Sequence, residues 1–380
     1  MEFQYQRTSN YFAQVANGLE EMAATEIQNL GAEQVKQRFR GLAFVADQET
    51  LYKINYSSRF LTRVLAPLIS FDCHSTKYLY KTAMEIPWED IFAADQTFAI
   101  FAQVSNSAIT HSKYASLKLK DAIVDRFREK IKRRPNVESK YPDVWFNLHI
   151  ENNRAVISLD TSGGSLHRRG YRLDTVEAPM QETLAAAVIK MTNWDGSNML
   201  IDPMCGSGTL AAEAYMSLTN LPAGYFRKTF GFNKMPDFNK GLWTKVRKAL
   251  DGAFVAPESI PIQASDVDPS ALRVAKRNLS HLPRGVEIYT HRKDYKDITM
   301  PEGATLVMNP PYGIRLQTGQ DLSDFYKEVG DWLKQKCQGS EAYIYFGERK
   351  YLKNIGLRPE WKRPLPNGGL DGRLAKFVMY

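Results

Sequence analysis

Two short stretches constrain this chain more than any others: Asn198 to Thr209, NMLIDPMCGSGT, and Leu306 to Gly313, LVMNPPYG. Each is an apolar run of strand type that stops abruptly in turn-forming residues, the way a parallel strand delivers groups to the carboxyl edge of an α/β sheet. In the first, Met199, Leu200 and Ile201 lead to Asp202, then to a loop with Gly206 and Gly208, then to the helical run TLAAEAYMSL. The glycines let the backbone approach a ligand closely, and the helix start behind them offers free N–H groups to a carboxylate or phosphate. In the second, the strand ends at Asn309 because two consecutive prolines cannot continue it. One carboxamide and one carbonyl are thereby fixed at the sheet edge.

Around these stretches, from about Glu177 to Tyr380, the strand-type runs MLID, IQASD, TLVMN, AYIYFG and LAKFVMY alternate with helical ones. That alternation predicts a doubly wound, mostly parallel sheet. An insertion of GYFRKTFGFNKMPDFNKGLW type separates its first helix from its second strand, and NGGLDG at Asn367 to Gly372 reads as a turn into a last, antiparallel strand. Upstream, Tyr11 to Asp72 gives the order βαββαβ, with VKQRF and LAFVA meeting at Arg40-Gly41. A second α+β unit follows to Asp160, with the strands TFAIFAQVS, VWFNLHI and AVISLD. The domain boundaries expected are therefore 1–72, 73–160, a linker at 161–176, and 177–380.

Charge is distributed unevenly along this plan. The formal net charge is +8, and between Lys113 and Arg134 nine Lys or Arg stand against three Asp or Glu, so this one segment supplies +6 of it. Leu117, Ile123, Val124, Phe127 and Ile131 are expected to form its buried side, leaving a basic face for phosphate contact. Lys113, Lys118, Lys120 and Arg128 are the candidate RNA contacts on it, joined by Arg168 and Arg169 in the linker segment TSGGSLHRRGYR. Cys73, Cys205 and Cys337 stand far apart without CxxC or Cys/His spacing, which excludes a disulfide framework and a zinc site and fits a reducing, cytoplasmic setting. No run approaches the ~18 apolar residues that a membrane span requires. The expectation is no metal and no membrane.

The glycine loop alone does not choose a chemistry. It lacks the third glycine of the dinucleotide fingerprint, and Asp266 in ASDVDP lies much further on than the ~20 residues of that fingerprint, which weakens a dehydrogenase reading. An adenosyl ligand still suits these residues: Asp266 for ribose hydroxyls, Val267 along the adenine ring, and Asp294 for the adenine amino group. Asn309-Pro310-Pro311-Tyr312 is more specific. A conjugated exocyclic amine is a poor nucleophile, because its lone pair is delocalised into the ring. If Asn309 Oδ1 and the Pro310 carbonyl each accept one of its N–H bonds, the nitrogen moves toward tetrahedral geometry and its lone pair faces an electrophilic methyl. Tyr312 would stack on the base, which must first leave its own stack.

DPMCGSGT and NPPYG resemble the S-adenosylmethionine and target-amine motifs of class I amino-methyltransferases. The longer run of TSGGSLHRRGYR, EAPMQETLAAAVI, the two motifs and PLPNGGLDGRLAKF resembles the THUMP-domain methyltransferases of the 23S ribosomal RNA guanine-N2 type. The resemblance covers nearly the whole chain and implies an N-terminal ferredoxin-like region, a THUMP domain for RNA and a Rossmann-like catalytic domain. It places Asp202, Gly206 and Gly208 at the methionine end of the cofactor, Asp266 at its ribose, Asp294 at its adenine, and Pro179, Met180 and Glu182 beside it. Asn309, Pro310 and Tyr312 fall to the target base. Ile314 departs from the pattern, since many relatives carry Glu there. Some relatives are fused to a second methyltransferase, and the resemblance stops before any such module. The function implied is methylation of a guanine N2 in 23S rRNA or a large-subunit precursor. A tRNA guanine-N2 enzyme, an adenine-N6 DNA enzyme and a non-catalytic RNA-binding factor stand as alternatives.

Overall fold

The computed structural model of the chain describes residues 2–176, 179–311 and 322–380. Tyr312 and Ile314, singled out above, lie outside the described residues. The chain divides into two compact units, and the division does not follow chain order. The first holds the stretch up to Val15, Ala24–Leu166 and Arg227–Ala249, and the second holds Ala16–Ala23, His167–Phe226 and Leu250–Tyr380.

The first unit is built on one sheet of eight strands. After a short helix α1 (Gln4–Thr8) come β1 (Asn10–Val15), α2 (Glu20–Asn29), the hairpin β2 (Glu33–Arg38) and β3 (Gly41–Val45), α3 (Gln48–Ser57) and β4 (Leu61–Asp72), which is the βαββαβ order read from the sequence. Helix α4 (Thr76–Glu85), β5 (Thr97–Ser105), α5 (Ser112–Ile131), the two-residue β6 (Asn136–Val137), β7 (Val144–Glu151) and β8 (Arg154–Asp160) follow. The two α+β halves share a sheet of order β2-β3-β1-β4-β8-β7-β5-β6 because β4 and β8 pair antiparallel, Leu65 opposite Asp160. Side chains alternate across a strand, so Tyr11, Ala13 and Val15 of β1 fall on one face and are buried while Phe12 and Gln14 are only half-buried. Each fully buried Val, Leu, Ile or Phe on that inner face contributes about 1.5–3 kcal/mol.

Helix α5 buries Ile123 and Phe127 as expected, but its inward side is rotated away from Leu117 and Ile131. Ala115, Leu119, Ala122, Ile123 and Phe127 are buried, whereas Leu117 and Ile131 are 45% and 40% exposed. Steps of four from Ala115 to Leu119, Ile123 and Phe127, with Ala122 beside Ile123, follow the 3.6-residue period, and α5 packs against α4. Residues 227–249 also depart from expectation. Instead of staying with the doubly wound sheet, they enter the first unit as core: Phe232 lies 4.5 Å from Tyr52, and Trp243 lies 5.3 Å from Tyr56. Polar ties reinforce the packing, with Tyr5 donating to Asp237 at 2.7 Å and the Asn239 N–H donating to the Tyr52 hydroxyl at 3.0 Å.

The second unit is the doubly wound one. Helix α6 (Glu182–Thr192) precedes β9 (Leu200–Asp202) and α7 (Thr209–Leu218); α8 (Lys240–Asp251), which begins inside the insertion, belongs to the first unit except for its last two residues. Then come β10 (Ile262–Asp266), α9 (Pro269–Ser280), β11 (Tyr289–Arg292), β12 (Thr305–Met308), α10 (Leu322–Lys336), β13 (Glu341–Phe346), β14 (Trp361–Pro364) and β15 (Arg373–Val378). The sheet order is β11-β10-β9-β12-β13-β15-β14, with β15 antiparallel to β13 as the turn at Asn367 to Gly372 suggested. Strands β9 and β12 are buried throughout, which is why they read as unbroken apolar runs.

Helix α10 packs Val329, Trp332 and Leu333 into a core with Leu306, Met308, Ile344 and Phe377. Gly330 permits this approach, since a Cβ there would stand 1.7 Å from the Ile355 carbonyl oxygen. Gly330→Ala is expected to lower stability by about 1–3 kcal/mol or more through overpacking. Denaturant unfolding with an unchanged midpoint would contradict that contact.

Candidate active site

Connections leave β9 in opposite directions: the chain proceeds outward to β10 and β11 on one side, then returns to place β12 and β13 on the other. The point where the order reverses lies between β9 and β12, at the carboxyl ends of parallel strands, which is where open α/β sheets bind their ligands. The register sets Leu200 opposite Thr305 and Ile201 opposite Leu306, so Asp202 and Asn309 finish neighbouring strands at the same edge. The two sequence motifs are thus brought together by topology.

On the β9 side the loop is held from below. Asp202 is buried, and its carboxylate accepts the Met204 N–H at 3.3 Å. Burial, assisted by the neighbouring Asp266 charge, pushes its pKa up to about 8. Gly206 and Gly208 have φ of +52° and +78°, backbone that side chains rarely adopt. A Cβ at 208 would press on Ala275 and Leu279 at 3.3 Å, whereas at 206 it would meet only Val176, at 3.9 Å. Gly208 therefore serves close packing against α9, and Gly206 leaves its side of the loop open. Asp266 reaches across from β10, accepting the Gly206 N–H and the Asp268 N–H, each at 2.9 Å. Val267 beside it is 60% exposed. Asp294 follows β11 and accepts the Lys296 N–H at 3.0 Å. Cys205 is a packing residue, its thiol buried and its pKa pushed well up by that burial.

The segment read as a linker is tied down at both ends. Thr161 and Ser162 are fully buried in the first unit, where Asn55 donates to Thr161 and accepts from Ser162. In the second unit Arg169 is 1% exposed, its Nε donating to Glu213 on α7, and Tyr171 donates to the same carboxylate at 3.1 Å. This corrects the expectation that Arg169 faces RNA: its charge is spent on a buried ion pair. Arg168 is exposed.

Arg172, given no role above, joins three pieces of the site. It donates to the Met180 carbonyl at 2.9 Å and the Thr209 hydroxyl at 2.8 Å, and its other nitrogen stands 3.5 Å from Glu182. Glu182 is buried at the start of α6 with its pKa raised by that burial, and its Oε2 has no hydrogen-bond partner among the described residues. Pro179 is half-buried and Met180 buried. Asn278 was also missed. Fully buried, it accepts from Leu173 and Asp174 and donates to the carbonyls of Asp174 and Ser207, using every position its amide offers. The signal was an asparagine on the apolar stripe Leu272, Ala275, Leu279 of α9, where a buried amide needs fixed partners.

Opposite this loop, Asn309 is half-buried, yet its Oδ1 is inaccessible to solvent and has no hydrogen-bond partner among the described residues. A carbonyl oxygen left so costs about 1–3 kcal/mol. Pro310 is buried behind it.

In the first unit, Lys113 is exposed and Lys118 and Lys120 are half-buried on α5. Lys120 pairs with Asp121 at 2.7 Å, Lys118 lies 3.8 Å from the same carboxylate, and Arg128 pairs with Asp125 at 3.1 Å. Among the described residues no cluster of His, Cys, Asp and Glu is arranged to hold a metal ion, and no helix is long and apolar enough to cross a membrane.

Comparison with known proteins matches three family descriptions: an RlmL ferredoxin-like domain at residues 10–65, a THUMP domain at 73–160, and an RMKL-like methyltransferase domain at 169–376. A protein of Synechocystis, provisionally named an RNA methyltransferase, is 39% identical over 98% of this chain and 97% of its own length. A ribosomal RNA large subunit methyltransferase K/L of Syntrophotalea carbinolica is 36% identical over 97% of this chain, which spans about half, 53%, of that relative. Among solved structures, SMU.472, provisionally named a methyltransferase and complexed with S-adenosylhomocysteine, superimposes with a TM-score of 0.85 at 26% identity, covering 100% of this chain and 99% of that one.

The buried carboxyl of Asp202 has a measurable consequence for the protein without ligand. It titrates near ~4 in the unfolded chain and at about 8 in the folded one. Across that interval the folded state keeps a proton that the unfolded state has lost, so this group's contribution to stability declines as pH rises from about 4 to about 8. Asp202→Asn is expected to flatten the fall in unfolding temperature across that window. An unchanged slope would show that the carboxyl ionises in the folded protein.

Proposed function

The chain belongs to the RMKL-like methyltransferase family and uses S-adenosylmethionine as methyl donor, and from that premise we propose that it methylates the exocyclic N2 amine of a guanine in 23S ribosomal RNA, engaged through its THUMP domain. The observation that carries the amine is Asn309 Oδ1, a buried acceptor at the end of β12 without a partner among the described residues. A polar atom is tolerated in that state where a ligand supplies the missing donor. An exocyclic amine has the two N–H groups that Asn309 Oδ1 and the Pro310 carbonyl require. Large-subunit rRNA is supported by the K/L relative, whose name gives that substrate, and RNA in general by the THUMP match.

The residues present fit the cofactor. Asp202 and Asp266 are acidic groups that burial makes costly to ionise without a cation nearby. Gly206 leaves space on the loop, and Asp266 and Asp294 stand at successive strand ends for the ribose and the adenine. When bound, the sulfonium supplies an already activated methyl group. The protein's part is alignment: Asn309 and Pro310 hold the amine by both hydrogens so that its lone pair points along the line of displacement, and Tyr312 stacks on the base. With the cofactor bound, an N–C bond would form as the S–C bond breaks, leaving the neutral thioether, and the amine's surplus proton would pass to solvent. Holding two reactants in line is worth up to about 7–11 kcal/mol of the barrier.

The test is methyl transfer from labelled cofactor to total RNA of the source organism, followed by fractionation and nucleoside analysis. Label as N2-methylguanosine in large-subunit rRNA is the expected result. Label in tRNA, or as N6-methyladenosine, would contradict the proposed substrate, and no label in any RNA or ribosomal precursor would contradict catalysis on RNA.

A further inference from the structure

Phe39 is 86% exposed, the second most exposed large hydrophobic side chain after the terminal Tyr380 among the described residues. It stands at the tip of the hairpin formed by β2 and β3, in the run Lys36-Gln37-Arg38-Phe39-Arg40, all five residues of which are exposed. No Asp or Glu occurs from residue 34 to residue 46, and none of the three cations forms an ion pair among the described residues. Strand β2 is also the outermost strand of the sheet, paired on one side only.

The tip is held out rigidly. Arg40 takes φ +53°, and the Val15 N–H donates to its carbonyl at 3.1 Å, which anchors the turn to β1. A Cβ on Gly41 would lie 2.8 Å from the Ala13 carbonyl oxygen and 2.3 Å from the Phe12 ring, so only glycine lets the hairpin seat this closely. Lys36 and Arg38 lie on one face of the sheet with Phe12 and Gln14, since Lys36 pairs with Ala43 and Arg38 with Gly41, which oppose Phe12 and Gln14 in turn. Lysine and arginine on an edge strand are an ordinary defence against edge-to-edge pairing. That defence explains the cations and leaves the phenyl ring between them unexplained, because an exposed ring adds to the hazard the cations reduce.

We propose that this hairpin tip is an RNA contact separate from α5: Phe39 stacks on an unpaired base while Lys36, Arg38 and Arg40 neutralise the flanking phosphates. The inference rests on the RNA reading given above and adds a surface and a form of substrate to it, namely single-stranded or looped RNA. A duplex keeps its bases stacked on each other and offers the ring no free face. Alternating cations and an aromatic ring match a single strand, in which charge and base faces alternate along the backbone.

The experiment measures equilibrium binding of the full chain to a single-stranded fragment of large-subunit rRNA and to a fully paired duplex, across a range of salt concentrations. Phe39→Ala is expected to weaken single-strand binding about five-fold or more while leaving the salt slope unchanged, and Phe39→Trp is expected to restore it. Arg38→Gln with Arg40→Gln is expected to make the slope shallower by about 1.4. S-adenosylmethionine affinity and unfolding temperature should not move in either variant, since these side chains are exposed. Wild-type affinity and slope in both variants would overturn the hairpin assignment, and a Phe39→Ala defect confined to binding a ribosomal protein would reassign the tip to a protein partner. Methyl transfer is followed in parallel: wild-type protein that transfers methyl groups to RNA while the variants bind normally refutes the hairpin alone. Wild-type protein that neither binds nor methylates RNA refutes the reading beneath it as well.

Discussion

The parallel pairing of β9 with β12 is the contact on which the catalytic unit depends. Both strands are buried throughout, and their functional side chains come at the end of β9, Asp202, and just after β12, Asn309. What the pairing contributes is adjacency: two chain segments separated by about a hundred residues end side by side, one in Asp202 and the glycine loop, the other in Asn309. The sheet order reverses between them, the point where open α/β sheets bind their ligands. The proposed division of labour between cofactor loop and target amide rests on this topology.

A second layer of constraint surrounds the glycine loop. Arg169, Tyr171 and Glu213 form a buried polar group, Arg172 joins the start of α6 to the start of α7, and Asn278 ties the same segment to Ser207. Ion pairs so buried are weak evidence for stability, but removing one partner costs about 3–5 kcal/mol because the other is stranded. Their effect is to hold one loop geometry. A loop fixed beforehand would spare a ligand that ordering cost on binding. Burial raises the pKa values of Asp202 and Asp266, which fits the proposed cofactor site, where a cationic ligand would favour their ionised forms.

Much of this was legible in the residues. Buried strands that end in Asp-Pro or Asn-Pro declare their own limits, and the βαββαβ order was visible because turn residues separate short runs of clear period. The antiparallel last strand followed from its Gly-rich turn. Three matters were not legible, each for a physical reason. The inward side of α5 depended on Ala115 and Ala122, which carry too little apolar surface to mark a stripe beside Leu117 and Ile131. Residues 227–249 look like a loop within one domain, and their aromatic rings find Tyr52 and Tyr56 nearly two hundred residues away, a pairing no local pattern encodes. Arg169 and Arg172 read as surface cations until their partners Glu213 and Glu182, on separate helices, are placed beside them.

The central claim is that β9 serves the cofactor and β12 serves the amine. Isothermal titration of S-adenosylmethionine into Asn309→Ala, alongside single-turnover methyl transfer by the same protein, tests it most directly. Cofactor affinity within about two-fold of the wild type, with transfer reduced by at least ~100-fold from the lost hydrogen bond to the developing charge, is the result the account requires. Parallel loss of cofactor binding and transfer would contradict it, since Asn309 would then belong to the cofactor site.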